Sequence, residues 1–128
     1  TRLNEFAAAE QLFDEALEIY ANTIETDHAF VGEAYRQYGN LRIRQQQYNE
    51  AVTWFDKALA ILLARLGENH WQTAATLSEK AEALLRLNQH GEAQALLDAA
   101  VPVLDRLLGA EHRLAQTAQA RLEKAVGE

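Results

Sequence analysis

Tyr48-Asn-Glu-Ala-Val-Thr-Trp-Phe-Asp-Lys-Ala-Leu-Ala-Ile-Leu-Leu-Ala-Arg-Leu-Gly-Glu-Asn-His70 is the stretch whose reading decides the fold. Ala51, Phe55, Ala58, Leu59, Leu62 and Leu66 recur at intervals of three and four, so they share one face of a helix running from about 49 to 66. Gly67 stops it, because glycine accepts the positive φ that closes a last helical turn. The same register returns 42 residues away on both sides. Asp14, Asp56 and Asp98 align, as do Ala9, Ala51 and Ala93, and Ala16, Ala58 and Ala100. Phe13, Phe55 and Leu97 align; so do Tyr20, Leu62 and Leu104, then Ile24, Leu66 and Leu108, and His28, His70 and His112. A whole register of matches means internal repetition. The recurring alanines have a packing reason: helices approach to about 8 Å only where side chains are small. One unit cannot bury its apolar face alone, so neighbours must stack.

Outward from that stretch, every other segment reads as helix. Residues 3–25 place Leu12, Phe13, Ala16, Leu17, Tyr20 and Ile24 on one face. Thr26-Asp27 interrupts them, and a second helix runs from about His28 to Gln45 with Tyr35, Tyr38 and Leu41 buried. Gln45-Gln46-Gln47 is the break before the central helix. Asn69, with Gln72 three residues on, offers a capping box for a fourth helix carrying Leu77, Ala81, Leu84 and Leu85. Asn88, His90 and Gly91 mark the next turn. The fifth helix, about 91–108, shows Ala93, Leu96, Leu97, Ala100, Val101 and Leu104 and stops at Gly109. Pro102 inside it should kink or shorten it. A sixth helix covers about 112–126. No run of alternating β-branched residues competes with this reading. The expected fold is all-α: about six helices in antiparallel pairs, an α-solenoid over residues 1–128. Its parts are a second helix at 3–25, repeats at 28–67 and 70–109, and a first or capping helix at 112–126.

The composition agrees. Ala, Leu, Glu, Gln and Arg dominate and proline occurs once, the balance of a helical protein. Cysteine is absent, which rules out disulfides and thiolate metal sites and fits a reducing, cytoplasmic compartment. No apolar run approaches the roughly 20 residues of a membrane span. The net charge of −7 disfavours general affinity for nucleic acid or an anionic membrane surface. The start at Thr1 rather than Met suggests a processed or excised piece.

The repeat resembles the tetratricopeptide repeat. Tyr35, Tyr38-Gly39, Tyr48, Ala51, Phe55 and Ala58 follow that family's signature, and Leu77, Lys80-Ala81, Leu84, Ala93, Leu97 and Ala100 follow it again. The 42-residue period with Leu66-Gly67…His70 and Leu108-Gly109…His112 is similar to the longer repeats of kinesin light chains. The residues after the histidines (Ala29, Trp71 and Arg113) depart from the family's proline, and Arg42 and Lys80 stand where it prefers large apolar residues. The resemblance implies a right-handed superhelix whose concave wall is made by the first helix of each unit. Mapped onto that wall are Glu33, Arg36, Asn40, Ile43 and Arg44, then Ala75, Ser78, Glu82, Leu85 and Arg86, then Thr117, Ala120, Arg121 and Lys124.

The implied function is protein–protein interaction: a peptide or partner protein held in a concave, locally basic groove. Arg36, Arg44, Arg86, Arg121 and Lys124 on one wall of an acidic protein suit an acidic segment, with Asn40 left for backbone amides. Arg36, Asn40 and Arg121 also resemble part of the clamp by which some relatives grip a C-terminal carboxylate, although Glu79 and Thr117 break that pattern. Trp71 is a candidate binding anchor or a staple over its turn. Trp54 is expected between helices. The spaced histidines are expected to start helices rather than hold metal: units sit roughly 10 Å apart, whereas zinc ligands converge to about 2 Å from the ion. No nucleophile elbow, phosphate loop or His-Glu-x-x-His helix is present, so neither catalysis nor a cofactor is expected. Two alternatives accompany the interaction reading. One is a self-associating scaffold joined through open terminal helices bearing Leu12 and Phe13, or Leu114 and Leu122. The other is a regulatory domain from a larger protein such as a bacterial kinase or regulator.

Overall fold

The computed structural model describes residues 9–12, 14 and 29–127. Five helices follow one another: α1 (Ala29–Arg44), α2 (Tyr48–Leu66), α3 (Trp71–Arg86), α4 (His90–Leu108) and α5 (Arg113–Gly127). Residues 9–12 and 14 are helical as well. No strand occurs among the described residues. The rest of the expected first helix, with Phe13, Ala16, Leu17, Tyr20 and Ile24, lies outside the described residues, as do Thr26, Asp27 and His28. Each helix packs on the next, and α3 also touches the first helices on either side of it, α1 and α5.

The aligned positions are the core. Ala51 and Ala93, Phe55 and Leu97, Ala58 and Ala100, and Leu62 and Leu104 are all fully buried. Asp56 and Asp98, in the same register, face solvent. α1 and α2 approach closely at Gly39. A Cβ at Gly39 would lie 2.5 Å from the Phe55 ring, so Gly39 is required by its neighbour rather than by its own backbone. Trp54 lies between helices as expected, stacked on Tyr38 at 4.1 Å and tilted against Tyr35 at 5.6 Å.

The turns show how the period is built. Gly67 and Gly109 take positive φ (81° and 91°), and the Gly67 N–H closes onto the carbonyls of Leu62 and Leu63. Gln46 and Asn88 turn the chain at the other end of each pair, both with φ 62°. The expected Asn69 cap is replaced by His70, whose Nδ1 accepts the Gln72 N–H at 3.1 Å. His112 Nδ1 accepts the Leu114 N–H at the same distance, 42 residues on. A side-chain acceptor one residue later in the turn therefore satisfies the free amides of the first turn. Asn69 instead accepts a hydrogen bond from Arg106, 3.1 Å away on α4. Replacing His70 by alanine should lower unfolding stability by about 1 kcal/mol, and His70→Asp should retain most of it. Urea denaturation of both variants checks this.

Two further expectations need correction. His90 begins α4 rather than lying in the turn, and Gly91 is helical. Pro102 does not shorten α4, which continues to Leu108. The ring sits at an exposed position, where the carbonyl it leaves without an amide donor can turn to water.

The two departures from the expected apolar pattern are satisfied by ion pairs. Arg42 pairs with Glu10, lies over the Tyr38 ring at 5.0 Å, and hydrogen-bonds Gln45 and Gln47. Lys80 reaches back to Asp56 at 2.6 Å. The Tyr38 hydroxyl donates to Asp14 at 2.9 Å. Burial, then the hydrogen bond and charge of Asp14, push its pKa up to about 12.

Candidate functional site

Glu79 and Arg121 are placed against the preceding first helix by the same local rule. α1, α3 and α5 lie side by side, so a residue on one helix meets those 39 and 43 positions earlier on the preceding first helix. Glu79 obeys this rule with Arg36 and Asn40. Arg121, at the equivalent position of the next repeat, obeys it with Ser78 and Glu82. The two rungs share these offsets, with a carboxylate at 79 in the first and a guanidinium at 121 in the second.

The first rung is nearly closed to solvent. Arg36 Nε donates to Glu79 Oε1 at 2.6 Å and Nη2 to Oε2 at 3.0 Å, while the Asn40 amide donates to Oε2 at 3.0 Å. Nη1 of the same guanidinium donates to both oxygens of Glu33, at 3.1 and 3.0 Å. Glu33 is held further by Gln37 at 2.8 Å and Gln72 at 3.1 Å. The side chains of Arg36 and Glu79 are 8% and 12% exposed. Burial alone would lower the Arg36 pKa, but the hydrogen bonds and charges of Glu79 and Glu33 outweigh it and hold the value above the ordinary one. Arg36 and Asn40, expected from the sequence to face an incoming ligand, both donate to Glu79.

The second rung is more open. Arg121 donates to Ser78 Oγ at 2.8 Å and lies 3.4 Å from Glu82. Arg86, half-exposed, donates to the other oxygen of Glu82 at 2.9 Å. Ser78 is buried. Arg44 and Lys124 are exposed at the last turns of their helices. There they complement the negative ends of the helix dipoles whatever else they do.

Beside this rung is a cavity of about 440 Å³ lined by Ile43, Glu82, Thr117, Ala120, Arg121 and Lys124. It draws on α1, α3 and α5 together, which makes it a feature of the stack rather than of one helix. Of the wall residues read from the sequence, Ile43, Glu82, Thr117, Ala120, Arg121 and Lys124 meet here. Glu33, Arg36 and Asn40 form the first rung. Ala75 and Leu85 are buried.

Trp71 is half-buried, packed on the core, 6.2 Å from the His70 ring and 5.8 Å from the Arg36 guanidinium. Leu122 packs inward on the core of α3 and α4 rather than presenting an open end. The outward slot of α5, occupied by Gly39 in α1 and by Ala81 in α3, holds the exposed Glu123. Among the described residues no group of three His, Asp or Glu is arranged to hold a metal, and no helix is long and apolar enough to cross a membrane.

A sequence model described as tetratricopeptide repeat matches residues 1–64 and 30–106. No curated protein matches significantly. The fold is similar to a Podosopora anserina protein of the kinesin light chain type with nearly identical TPR-like repeats: TM-score 0.83, 24% identity, 97% of this chain and 59% of that one. It is also similar to BtubC (BKLC) from P. vanneervenii: TM-score 0.85, 20% identity, 98% of this chain and 50% of that one. The chain thus spans between half and three fifths of these longer structures.

Proposed function

The chain belongs to the tetratricopeptide repeat family, and from that premise we propose that it binds an extended segment of a partner protein along the α1–α3–α5 wall, chiefly at its second rung. The observation that carries this reading is the cavity shared by the three first helices. Its uncharged lining is Ile43, Ala120 and Thr117, the last with a single hydroxyl. Its edge carries Arg121 and Lys124, with Arg86 bonded to Glu82, the carboxylate in its lining. A segment that places one apolar side chain in the cavity and an acidic side chain against Arg86 and Lys124 matches both shape and charge. The acidic preference belongs to this end of the wall, where Arg86, Arg121 and Lys124 surround the single carboxylate of Glu82, whereas Arg36 at the other end is held between Glu33 and Glu79.

An array of acidic, neutral and basic segments, each with a central leucine, tests the reading. Acidic segments should bind the wild-type protein. Arg86→Glu with Lys124→Glu should weaken them about tenfold, equivalent to about 1.4 kcal/mol. Ala120→Trp, which fills the cavity from an exposed position, should abolish binding while leaving the circular dichroism spectrum unchanged. Acidic segments binding equally well to all three proteins would remove the second-rung site.

A further inference from the structure

We propose that a pocket between the second helices α2 and α4 is a separate docking site for an amphipathic helix of a basic partner protein. An aliphatic side chain of that helix enters the pocket, and a Lys or Arg one turn away meets Glu68. The pocket has a volume of about 430 Å³ and is lined by Leu63, Glu68, Asn69, Leu77, Ala99 and Val103. Leu63 belongs to α2, Leu77 to α3, and Ala99 and Val103 to α4, while Glu68 and Asn69 form the turn between α2 and α3. It shares no lining residue with the cavity of the first-helix wall. Four of the six lining side chains are apolar and the only charged one is the exposed Glu68. A mostly apolar pocket with a few polar groups to one side is the usual form of a binding site.

The pocket exists because the 42-residue register breaks here. Leu77 and Ala99 stand where the preceding unit has Tyr35 and Lys57, so two long side chains give way to shorter ones and leave space. Leu63 has Asp105 as its counterpart in the next unit, and Leu107, one turn beyond Val103, has Arg65 in the preceding one. Each departure makes this interval emptier or more apolar than its neighbour, whereas the buried core repeats closely. Leu63 and Leu107 are both 46% exposed, and a docked partner covers such side chains.

The surroundings favour one occupant. α2 and α4 both pack on α3, so the pocket is a trough between two helices, and a third helix sets its own ridge of side chains into such a trough. The trough is short. The Lys80–Asp56 pair crosses it one turn from Leu77, and Arg106 reaches Asn69 one turn from Val103. On a helix, side chains three or four residues apart lie about 5–6 Å from one another. A leucine in the pocket therefore brings a lysine of the next turn to Glu68. Charge selects between partners: a second copy of this chain, with net charge −7, meets Glu68 with an excess of acid, and a basic helix is attracted to it.

The test uses a fluorescein-labelled, stapled alanine-based helix carrying one leucine and, four residues on, one lysine. Companion helices have alanine for the leucine or glutamate for the lysine. Anisotropy titrations in physiological salt, which screens distant charges, should show saturable binding of the leucine–lysine helix to wild type. Each companion should bind about tenfold more weakly. Ala99→Lys installs the residue of the preceding unit at an exposed position, and should weaken the leucine–lysine helix about tenfold with an unchanged circular dichroism spectrum. Glu68→Lys should reverse the preference in favour of the glutamate helix. Ala120→Trp should leave these affinities unchanged, so this pocket and the wall site fail separately. An absence of saturable binding to wild type, or binding that Ala99→Lys leaves intact, overturns the pocket. Loss on Ala99→Lys without discrimination between lysine and glutamate helices overturns the basic partner. Sedimentation of wild type as a dimer that Ala99→Lys dissociates assigns the pocket to a second copy and overturns the proposal as well.

Discussion

Arg36→Glu is expected to unfold the protein. The substitution places a third carboxylate against Glu79 and Glu33, at a site where the native side chain is 8% exposed, and it removes all four guanidinium hydrogen bonds to them. Breaking a buried pair by removing one partner costs about 3–5 kcal/mol, and reversing the charge adds repulsion. That is comparable with the entire stability of a small domain, about 5–15 kcal/mol. Far-ultraviolet circular dichroism at 25 °C should show lost helicity, whereas Arg44→Glu at an exposed helix end should leave the spectrum native. A folded Arg36→Glu protein with wild-type denaturant midpoint would mean that the first rung contributes nothing to stacking α1 on α3. The same reasoning governs binding experiments: loss of a partner on Arg36→Glu would report unfolding, so groove tests belong on Arg86, Ala120 and Lys124.

The second large effect is at the α1–α2 contact. Gly39→Ala brings a Cβ to 2.5 Å from a ring that is itself fully buried and has nowhere to retreat. Overpacking of this kind costs about 1–3 kcal/mol, against a gain of up to about 1 kcal/mol from exchanging glycine for alanine within a helix. A net loss of about 2 kcal/mol is expected. Phe55→Leu alone leaves a cavity and is also destabilising. Together they should cost much less than their sum, because the pair recreates the combination the next repeat uses, Ala81 with Leu97, both buried in one cluster. A double-mutant cycle in urea measures this coupling. Strict additivity would show that the glycine and the ring are not matched to each other.

The fold was legible because repetition multiplies weak signals. Ala51, Phe55, Ala58 and Leu62 alone would say only that one helix is amphipathic; their return as Ala93, Leu97, Ala100 and Leu104 identifies a stack, and all eight are buried. His70 and His112 also read correctly as helix starters, since both accept amides at equivalent turns. The wall was less legible. Placing Arg36, Asn40, Ser78, Glu82 and Arg121 on one side follows from the resemblance to the repeat family, but whether they face solvent or each other depends on the distance between neighbouring first helices. Glu79, read from sequence only as an obstacle to a ligand, is the partner of two of them. The signal that would have found it is the offset of 39 and 43 residues joining Arg36 and Asn40 to Glu79, and Ser78 and Glu82 to Arg121. Pro102 was misjudged for a simpler reason: the cost of a proline in a helix depends on whether the freed carbonyl can be hydrated, and its position is exposed.

The inverted rungs also make the repeats countable. Apolar faces as alike as those of α1 and α3 would let a folding chain skip a unit or dock one out of turn. If α5 settled directly on α1, Arg121 would arrive where Glu79 belongs, against Arg36. If the middle unit were duplicated, the Glu79 of the second copy would face the Glu82 of the first. Either error buries like charges at the contact. Alternating the sign from rung to rung thus writes an ordinal number on each unit, and a chain of near-identical parts has one order in which they can be assembled.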